Sequence, residues 1–271
     1  METFILKQKQ NIWWGEFPLL SQAGFTNACS CRLHGKSNIV AGTFNLALHV
    51  QDDPGKVMSN RRRFADVLGL KLTNITTCAQ VHGSKVVVVK EDLVGKGAQT
   101  YADTIQDTDA LVTILPEVPL LLFYADCTPV LLADPETGAI GLAHAGWKGT
   151  VAQIAKKTVA AMVAEFGCRP EKLLGAIGPA IGACCYEVDD FVRDRASGYE
   201  KFFAPVAGKP GKYMLDLWAL NREQLLEAGL VADNIAVAGI CTAHNHELFC
   251  SYRAEQGKTG RMGVCLCRKA R

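Results

Sequence analysis

The sequence predicts an α+β protein in which mixed β-sheets are covered by helices. Three observations support this fold class: a large apolar fraction, many short strand-like segments, and three capped helical segments between them. The chain has 271 residues, of which 49% are hydrophobic and 21% charged. A chain of this length buries roughly three-quarters of the surface that its unfolded form exposes. We therefore expect one domain that spans residues 1–271.

The predicted strands are short segments rich in Val, Ile, Leu or Thr, each bounded by turn residues. Two of them are joined by Asp134-Pro-Glu-Thr-Gly138, which is typical of a tight hairpin turn. Hairpin-like succession of this kind favours mixed sheets. The predicted strands are Thr73–Ala79, Lys85–Lys90, Ala110–Ile114, Leu120–Tyr124, Pro129–Ala133, Ala139–Ala143, Leu173–Ile177, Ile235–Ala238, Leu248–Ser251 and Met262–Cys267.

Three segments carry helix start and stop signals. Asp53 is a good N-cap, and the proline after it suits the first helical position. Glycine follows the expected last turn in each case, as is common where a helix ends in a left-handed residue. The predicted helices are Pro54–Leu68, Val151–Phe166 and Leu217–Ala228.

The charge balance excludes one class of partner. Lys and Arg total 29 and Asp and Glu total 27, which gives a net charge of +2. This is too balanced for a protein that tracks nucleic-acid phosphates, so we expect no nucleic-acid partner. Apolar runs end far short of the ~20 residues that span a bilayer, so no membrane association is expected. The N-terminus shows no signal-peptide pattern, and we expect a cytoplasmic protein.

The eleven cysteines do not suggest a disulfide framework, because their number is odd and no signal peptide is expected. No Cys-x-x-Cys pair occurs. Most of the cysteines are interpreted as small buried hydrophobic residues. The close pairs, none with zinc-ribbon spacing, are Cys29/Cys31, Cys184/Cys185 and Cys265/Cys267.

Two of the six histidines and one cysteine lie at predicted strand ends or turns, where side chains can converge. They are His82, Cys127 and His144. Two imidazoles and one thiolate suit zinc, and three protein ligands leave a fourth position for water, whose pKa can then fall to ~7. The alternative is that the histidines occupy turns and the cysteine a core without metal. His244-x-His246 would place two imidazoles on one face of a strand, as a further metal pair.

Several motifs occur in a fixed order from about residue 45 to the C-terminus. Together they resemble the YfiH-like family, also called the laccase-domain or multicopper polyphenol oxidase family. The segments that carry the resemblance are Gln80-Val-His-Gly83, Asp107-Thr-Asp-Ala-Leu-Val-Thr113, Ala125-Asp-Cys-Thr-Pro-Val130, His144-Ala-Gly-Trp-Lys-Gly-Thr150, Gly178-Pro-Ala-Ile-Gly182, Cys185-Tyr-Glu-Val188, Cys241-Thr242, Ser251-Tyr-Arg253 and Thr259-Gly-Arg261.

The resemblance implies a layered α/β sandwich with mixed sheets, similar to the catalytic domain of cytotoxic necrotizing factor. It also implies zinc bound by His82, Cys127 and His144, and a monomer. The implied activities are purine nucleoside phosphorylase, methylthioadenosine phosphorylase and adenosine deaminase, with purine nucleosides and phosphate as small-molecule partners. Family members have also been called polyphenol oxidases and peptidoglycan editing factors.

Phosphorolysis needs cationic donors for phosphate and hydrogen-bonding groups for ribose. Some candidates have a structural alternative. Arg61 could be a solvated charge on its helix, the neutral residues could have buried polar roles, and Asp126 could cap a segment or contact a metal ligand. Deamination would need an acid/base group near the metal, because the Glu of zinc deaminases is missing here. The candidates are Arg61, Arg253 and Arg261 for phosphate or ribose, Asn45, Gln80 and Ser251 as hydrogen-bonding groups, and Asp126 as the acid/base.

Two other enzyme classes use the same residues. A cysteine hydrolase would have Cys127 as nucleophile and His144 or His82 as base, and could act on peptidoglycan precursors. A laccase proper is excluded because six histidines are too few, although a His₂Cys site could bind copper in vitro and give weak oxidation. In a non-enzymatic alternative the metal would only stabilise a binding module, which the open fourth position argues against.

Overall fold

Two large β-sheets packed face to face form the centre of the fold in this computed structural model, which describes residues 2–40 and 43–269. A five-stranded antiparallel sheet has the order β1-β2-β3-β14-β6, and a six-stranded mixed sheet has the order β13-β9-β7-β8-β5-β4. A small antiparallel sheet, β10-β12-β11, lies outside them. The strands are β1 Ile5–Lys9, β2 Ile12–Glu16, β3 Phe25–Ser30, β4 Val86–Val88, β5 Ala110–Thr113, β6 Leu120–Tyr124, β7 Thr128–Ala133, β8 Ile140–Ala145, β9 Leu174–Ile177, β10 Glu187–Asp189, β11 Phe203–Pro205, β12 Lys212–Leu215, β13 Ile235–Val237 and β14 Met262–Arg268.

Helices cover the outer face of each large sheet, which makes the fold a four-layer α/β sandwich with mixed sheets, as expected. The alternation of side chains along the strands builds these layers. Leu120 and Leu122 point into the core between the sheets, whereas Leu121 and Phe123 pack under α2. The opposite sheet packs its outer face under α4 and α6. The helices are α1 Pro18–Gln22, α2 Pro54–Leu68, α3 Trp147–Val151, α4 Ile154–Phe166, α5 Asp190–Arg193 and α6 Leu217–Glu227.

Helix α2 confirms the prediction at both ends. Asp53 is the N-cap, and its carboxylate accepts a hydrogen bond from the Lys56 N–H. Gly69 ends the helix in the left-handed region at φ 69°. The hairpin turn between β7 and β8 is confirmed as well, because the Asp134 carboxylate accepts the N–H groups of Glu136 and Thr137.

The predicted helix over residues 151–166 is two helices. Only its first residue, Val151, belongs to α3, which begins earlier, at Trp147. The chain then turns at Gln153 with φ 61° before α4 starts. The apolar periodicity was continuous, so the sequence pattern did not reveal this break. The break matters for the site, since α3 follows β8 directly.

Two predicted strands are wrong. Residues 73–79 form no continuous strand. Thr76 makes an isolated bridge to Leu120, and Cys78 makes another to Ile105 in a different segment. Residues 248–251 are irregular and follow the turns at 242–248, and Phe249 and Cys250 insert as buried side chains between the sheets. The N-terminal strands β1 to β3 and the small outer sheet were not predicted. Within the described part of the chain, no helix is long and apolar enough to cross a membrane.

We expect a cavity in the core at β8 to lower the free energy of unfolding strongly. Leu142 is fully buried there, so Leu142→Ala should lower the free energy of unfolding by about 2–5 kcal/mol. Leu6→Ala is the matched control, because Leu6 is 44% exposed and its change should stay within about 0.5 kcal/mol. Urea unfolding followed by tryptophan fluorescence measures both, and similar losses for the two variants would contradict this layering.

Candidate metal centre

His82, Cys127 and His144 meet at one end of the layer between the two sheets. His144 lies near the end of β8, in the row of side chains that points into the core, and its ring packs on Tyr124 at 5.3 Å between centroids. Cys127 lies in the link between β6 and β7, and His82 in the loop before β4. The two imidazole rings are 4.9 Å apart, and the three ligating atoms lie within 4.8 Å of one another.

A buried carboxylate, Asp109, holds two of these three residues in place. One of its oxygens lies 2.9 Å from His144 Nδ1. The same carboxylate accepts the backbone N–H groups of Val81, His82 and Gly83, at 3.2, 3.0 and 2.7 Å. A carboxylate on one ring nitrogen orients a metal-binding histidine and leaves the other nitrogen free for the metal. Asp109 therefore sets both the His144 ring and the loop that carries His82.

Unusual backbone accompanies this arrangement. His82 and Asp126 have φ values of 60° and 78°, a left-handed conformation that costs a residue other than glycine free energy and marks functional sites. The glycine after β8 is also required. A Cβ on Gly146 would lie 2.9 Å from Cys127 Sγ and 3.2 Å from a carbon of the His82 ring. Only glycine lets the start of α3 come this close to the cluster.

The electrostatics favour a thiolate at Cys127. Burial by itself would raise the pKa of this thiol, but the charge and hydrogen bonds of His144, together with His82, outweigh burial and lower the pKa to about 6. Burial would likewise lower the pKa of His144, but Cys127 and Asp109 raise it to about 9. The pair is therefore polarised as thiolate and imidazolium when no metal is bound.

The residues fit a zinc ion. The donor set is two imidazoles and a thiolate, and the His144 nitrogen that faces away from Asp109 is free to bind. The cluster holds three such residues among those that the structure describes, which is the count typical of a catalytic rather than a structural zinc site.

A cavity of about 530 Å³ opens beside the three ligands. This volume lies within the range of small-molecule sites. The lining includes all three ligands, the cations Arg253 and Arg261, and the aromatic side chains Phe123, Trp147, Tyr186 and Tyr252.

Arg253 and Arg261, the other two arginines that the sequence singled out, both lie in the cavity wall. The Arg253 guanidinium donates to the carbonyl of Glu187 and stacks over Tyr186 at 5.2 Å. The Arg261 guanidinium lies 5.6 Å from the centroid of the Tyr252 ring. Two cations on aromatic supports thus face the same space as the metal ligands.

Asp126 lines the cavity, but both of its carboxylate oxygens are engaged. One accepts the Thr242 hydroxyl at 2.6 Å and the other accepts the Arg253 backbone N–H at 2.7 Å. Its backbone carbonyl accepts the Ile181 N–H at 3.0 Å. Asp126 therefore connects three loops to the segment between β6 and β7 that carries Cys127. Its carboxylate is occupied by these structural hydrogen bonds, so the structure does not support the acid/base role expected from the sequence.

Gln80 lines the cavity too, and its amide is used by the backbone. Its side chain donates to the Phe123 carbonyl and accepts the Phe123 N–H, both at 2.8 Å. This paired contact holds the loop before His82 against strand β6. Gln80 thus contributes to the cavity wall by fixing its shape.

The structure does not bring Arg61 into the cavity. The side chain is 2% exposed and lies behind Phe123, 4.9 Å from the ring centroid. Its Nε donates to the Leu46 carbonyl, and its Nη1 donates to the carbonyls of Gly97 and Ala98. These contacts satisfy buried backbone carbonyls from two segments. Arg61 has a structural role here in place of the phosphate contact that the sequence suggested.

Asn45 and Ser251 are also fully buried outside the cavity. The Asn45 side-chain oxygen accepts the backbone N–H of Arg261 at 2.9 Å, so it positions that cation without facing the cavity. The Ser251 hydroxyl accepts the Ala254 N–H at 3.1 Å and caps the turn after it. The sequence suggested that both residues contact ribose or phosphate. In the structure they instead hydrogen-bond to the segment that carries Arg253 and Arg261.

Two residues of the site were not singled out from the sequence. Asp109 is part of the motif Asp107–Thr113, but nothing near it in the sequence indicates that its carboxylate contacts His144 and the loop of His82. His49 lines the cavity, and its desolvation, together with the charges of Arg261 and Arg61, lowers its pKa to about 4. The ring is therefore neutral and can accept or donate a hydrogen bond to a bound molecule.

The fold and the site define a class: a four-layer α/β sandwich with an open His₂Cys centre beside a cationic cavity. Residues 26–269 match the family described as "Multi-copper polyphenol oxidoreductase laccase". The chain belongs to this family, as the sequence motifs had indicated.

Known relatives cover nearly the whole chain. A protein named "Purine nucleoside phosphorylase YlmD" from Geobacillus stearothermophilus is 40% identical over 250 residues, or 91% of each chain. A "Purine nucleoside phosphorylase" from Deinococcus radiodurans is 43% identical over 79% of this chain and 78% of its own. The crystal structure of the Bacillus licheniformis hypothetical protein YfiH is 34% identical, with a TM-score of 0.91 over 97% of this chain and 99% of that one.

The role of Asp109 can be tested by removing its charge. Asp109→Asn should weaken zinc binding about 10- to 100-fold, because the carboxylate no longer orients His144 or the His82 loop. Chelator competition measures the affinity. Asp107→Asn is the matched control, since Asp107 is exposed in the same loop and its variant should bind zinc like the wild type. Equal affinities for both variants would remove Asp109 from this role.

The structural role of Arg61 makes a separate prediction. Arg61→Met should lower the free energy of unfolding by roughly 2–5 kcal/mol, because three buried carbonyls lose their donor. Arg62→Met, at an exposed neighbour on the same helix, should change stability little. Denaturant unfolding gives both values. An unchanged stability combined with a raised KM for phosphate would restore the substrate-binding role.

Proposed function

We propose that this protein is a zinc-dependent purine nucleoside phosphorylase that acts as a cytoplasmic monomer. Its substrates would be adenosine, inosine, guanosine or methylthioadenosine together with phosphate, and its products the free base and the pentose 1-phosphate. One observation carries the proposal: the three metal ligands and two arginines line the same cavity of about 530 Å³. The names of the relatives support the same activity.

Phosphate binding is assigned to Arg253 and Arg261. In phosphorolysis a phosphate oxygen attacks C1′ while the bond from C1′ to the purine nitrogen breaks, through a transition state with positive charge on the sugar. Two guanidiniums can hold the dianion by charge-assisted hydrogen bonds next to that carbon. Their aromatic supports and the backbone contact from Asn45 to Arg261 keep both cations in the wall before the ligand arrives.

The purine and the sugar would be held by the rest of the wall. Phe123, Tyr186 and Tyr252 offer flat apolar surface to the base, and the neutral His49 can hydrogen-bond to it. A zinc ion bound by His82, Cys127 and His144 would supply Lewis acidity beside the substrate. His144 stays oriented because Asp109 keeps its Nδ1 engaged. We propose adenosine deamination as a side activity of this same cavity.

A cysteine hydrolase is the second candidate, and a specific arrangement favours it. Asp109 contacts His144, and His144 contacts Cys127. Burial would raise the pKa of the Cys127 thiol, but His144, together with His82, has the larger effect and lowers this pKa to about 6. This is the order of groups found in cysteine nucleophiles activated by a histidine. A thiolate bound to zinc cannot attack a substrate, so metal occupancy separates the two functions. Peptidoglycan precursors would be the substrates of the hydrolase. Weak copper-dependent phenol oxidation is a separate alternative, for protein that has bound copper at the same three residues.

The first experiment is chromatography of adenosine incubated with the zinc-loaded protein, with and without inorganic phosphate. We expect adenine and ribose 1-phosphate only when phosphate is present. Cys127→Ala should abolish the reaction because the metal ligand is lost. Arg253→Gln should raise KM for phosphate roughly 10- to 100-fold, since a charge-assisted hydrogen bond contributes about 1.5–3 kcal/mol.

Arg195→Gln is the matched control for the arginine variant, because Arg195 is exposed on Phe191 outside the cavity. It should keep the wild-type KM. Inosine formed with or without phosphate would show deamination as an activity of the site. If adenosine is recovered unchanged in both reactions, phosphorolysis of this nucleoside is refuted, and the hydrolase is tested next on muropeptide precursors with the metal-free protein.

A further inference from the structure

A second cluster of cysteine and histidine side chains lies outside the set of three metal ligands. Cys184 and Cys185 are in the loop between β9 and β10, and Cys241 and His244 are in the turns that follow β13. Their ligating atoms all lie within 4.8 Å of one another, and Cys184 Sγ is 3.5 Å from His244 Nδ1. The sequence had suggested buried cysteines and a His244-x-His246 pair instead, but Cys184 is exposed.

Backbone contacts bring the two loops together independently of any metal. Ala180 pairs with Cys241 in a parallel bridge, and the Thr242 N–H donates to the Ala180 carbonyl at 3.0 Å. The Gly182 N–H donates to Cys241 Sγ at 3.3 Å. A Cβ on Gly182 would lie 3.2 Å from Cys184 Sγ, so the loop backbone passes close to this sulfur. These contacts therefore hold the two loops that carry the four side chains next to each other.

We propose that Cys184, Cys185, Cys241 and His244 bind a structural zinc ion. Three thiolates and one imidazole form a closed tetrahedral donor set that is common in structural zinc sites. Around such an ion, neighbouring donor atoms are separated by about 3.5–3.8 Å. The 3.5 Å between Cys184 Sγ and His244 Nδ1 already has this length, and the donor atoms of the half-buried Cys185 and the buried Cys241 lie within 4.8 Å of them and of each other. On binding, the three thiols release their protons to solvent.

The two clusters differ in a way that separates their roles. The cluster in the cavity offers three ligands, whereas this one offers four, so it leaves no position for a substrate. Its ion would clamp the loop that carries Ile181 and Tyr186 to the turn that carries Thr242. The first two side chains line the cavity, and the Thr242 hydroxyl holds Asp126. The proposed ion therefore stabilises one wall of the cavity from behind.

Metal content of the full chain tests the proposal without any use of catalytic activity. Protein saturated with zinc under reducing conditions and then desalted should contain two ions per chain. Cys127→Ser should contain one ion, and so should Cys184→Ser/Cys241→Ser. His244→Ala should lose the second ion to a weak chelator, whereas His246→Ala should keep it. His246 is the matched control because it is an exposed histidine two residues away and is not in the cluster.

Cobalt replacement identifies the ligands. Cobalt bound to the Cys127→Ser variant should show the strong sulfur-to-metal absorption of three thiolates, because only the second site remains. Cobalt bound to Cys184→Ser/Cys241→Ser should show the weaker absorption of one. Circular dichroism shows that each variant is folded, together with the second ion retained in Cys127→Ser and the first ion retained in Cys184→Ser/Cys241→Ser.

Two results would overturn the proposal. One is a single zinc ion per chain that is lost in Cys127→Ser and kept in Cys184→Ser/Cys241→Ser. The other is a disulfide among Cys184, Cys185 and Cys241, found by peptide mass spectrometry in reduced, zinc-supplemented protein. Neither result depends on phosphorylase activity, so the proposed function and this second site can fail separately.

Discussion

The carboxylate of Asp109 is the contact on which the site depends. It has no exposure to solvent, and it binds His144 on one side and three consecutive backbone N–H groups of the His82 loop on the other. A buried carboxylate is costly unless it is fully hydrogen-bonded, and here every contact is charge-assisted. The same residue therefore fixes two ligands that are 62 positions apart in the chain.

The layering of the fold explains where this site lies. Side chains on the inner face of β8 form a row, Ile140, Leu142 and His144, in which the apolar core changes to metal-binding chemistry at the sheet end. Tyr124 ends the equivalent row on the opposite sheet and packs against the His144 ring. The site is thus an extension of the core, because His144 and Tyr124 are carried by strands of the two packed sheets.

The loops around the cavity are fixed by polar contacts of residues that do not meet the substrate. Asp126 ties together three segments, Asn45 holds the backbone of Arg261, and Arg61 satisfies carbonyls from two distant turns. Each of these side chains is buried, and each makes hydrogen bonds within the protein. Polar residues that the sequence singles out can therefore serve the site by positioning its walls. Asp126 does so from the cavity wall itself, whereas Asn45 and Arg61 are buried outside the cavity.

Local signals in the sequence determined a large part of this protein. The motifs indicated His82, Cys127 and His144 as a candidate metal site, and the fold brings these side chains together. Capping residues and glycine set both ends of α2, and apolar segments bounded by turn residues located most strands of the mixed sheet. These features depend on neighbours a few residues away, so they can be read along the chain. The prediction failed where local periodicity was continuous but the backbone turned, as at Gln153.

The tertiary structure alone decided which polar residues face the cavity. Arg61, Asn45 and Ser251 have side chains as suitable for a substrate as those of Arg253 and Arg261, but the packing of α2 and the C-terminal segment buries the first three. Asp109 and the cluster of Cys184, Cys185, Cys241 and His244 are the reverse case, since their partners lie 26 to 60 positions away. Contacts at such separations arise only when the sheets assemble, because no local preference of the chain encodes which distant groups will meet.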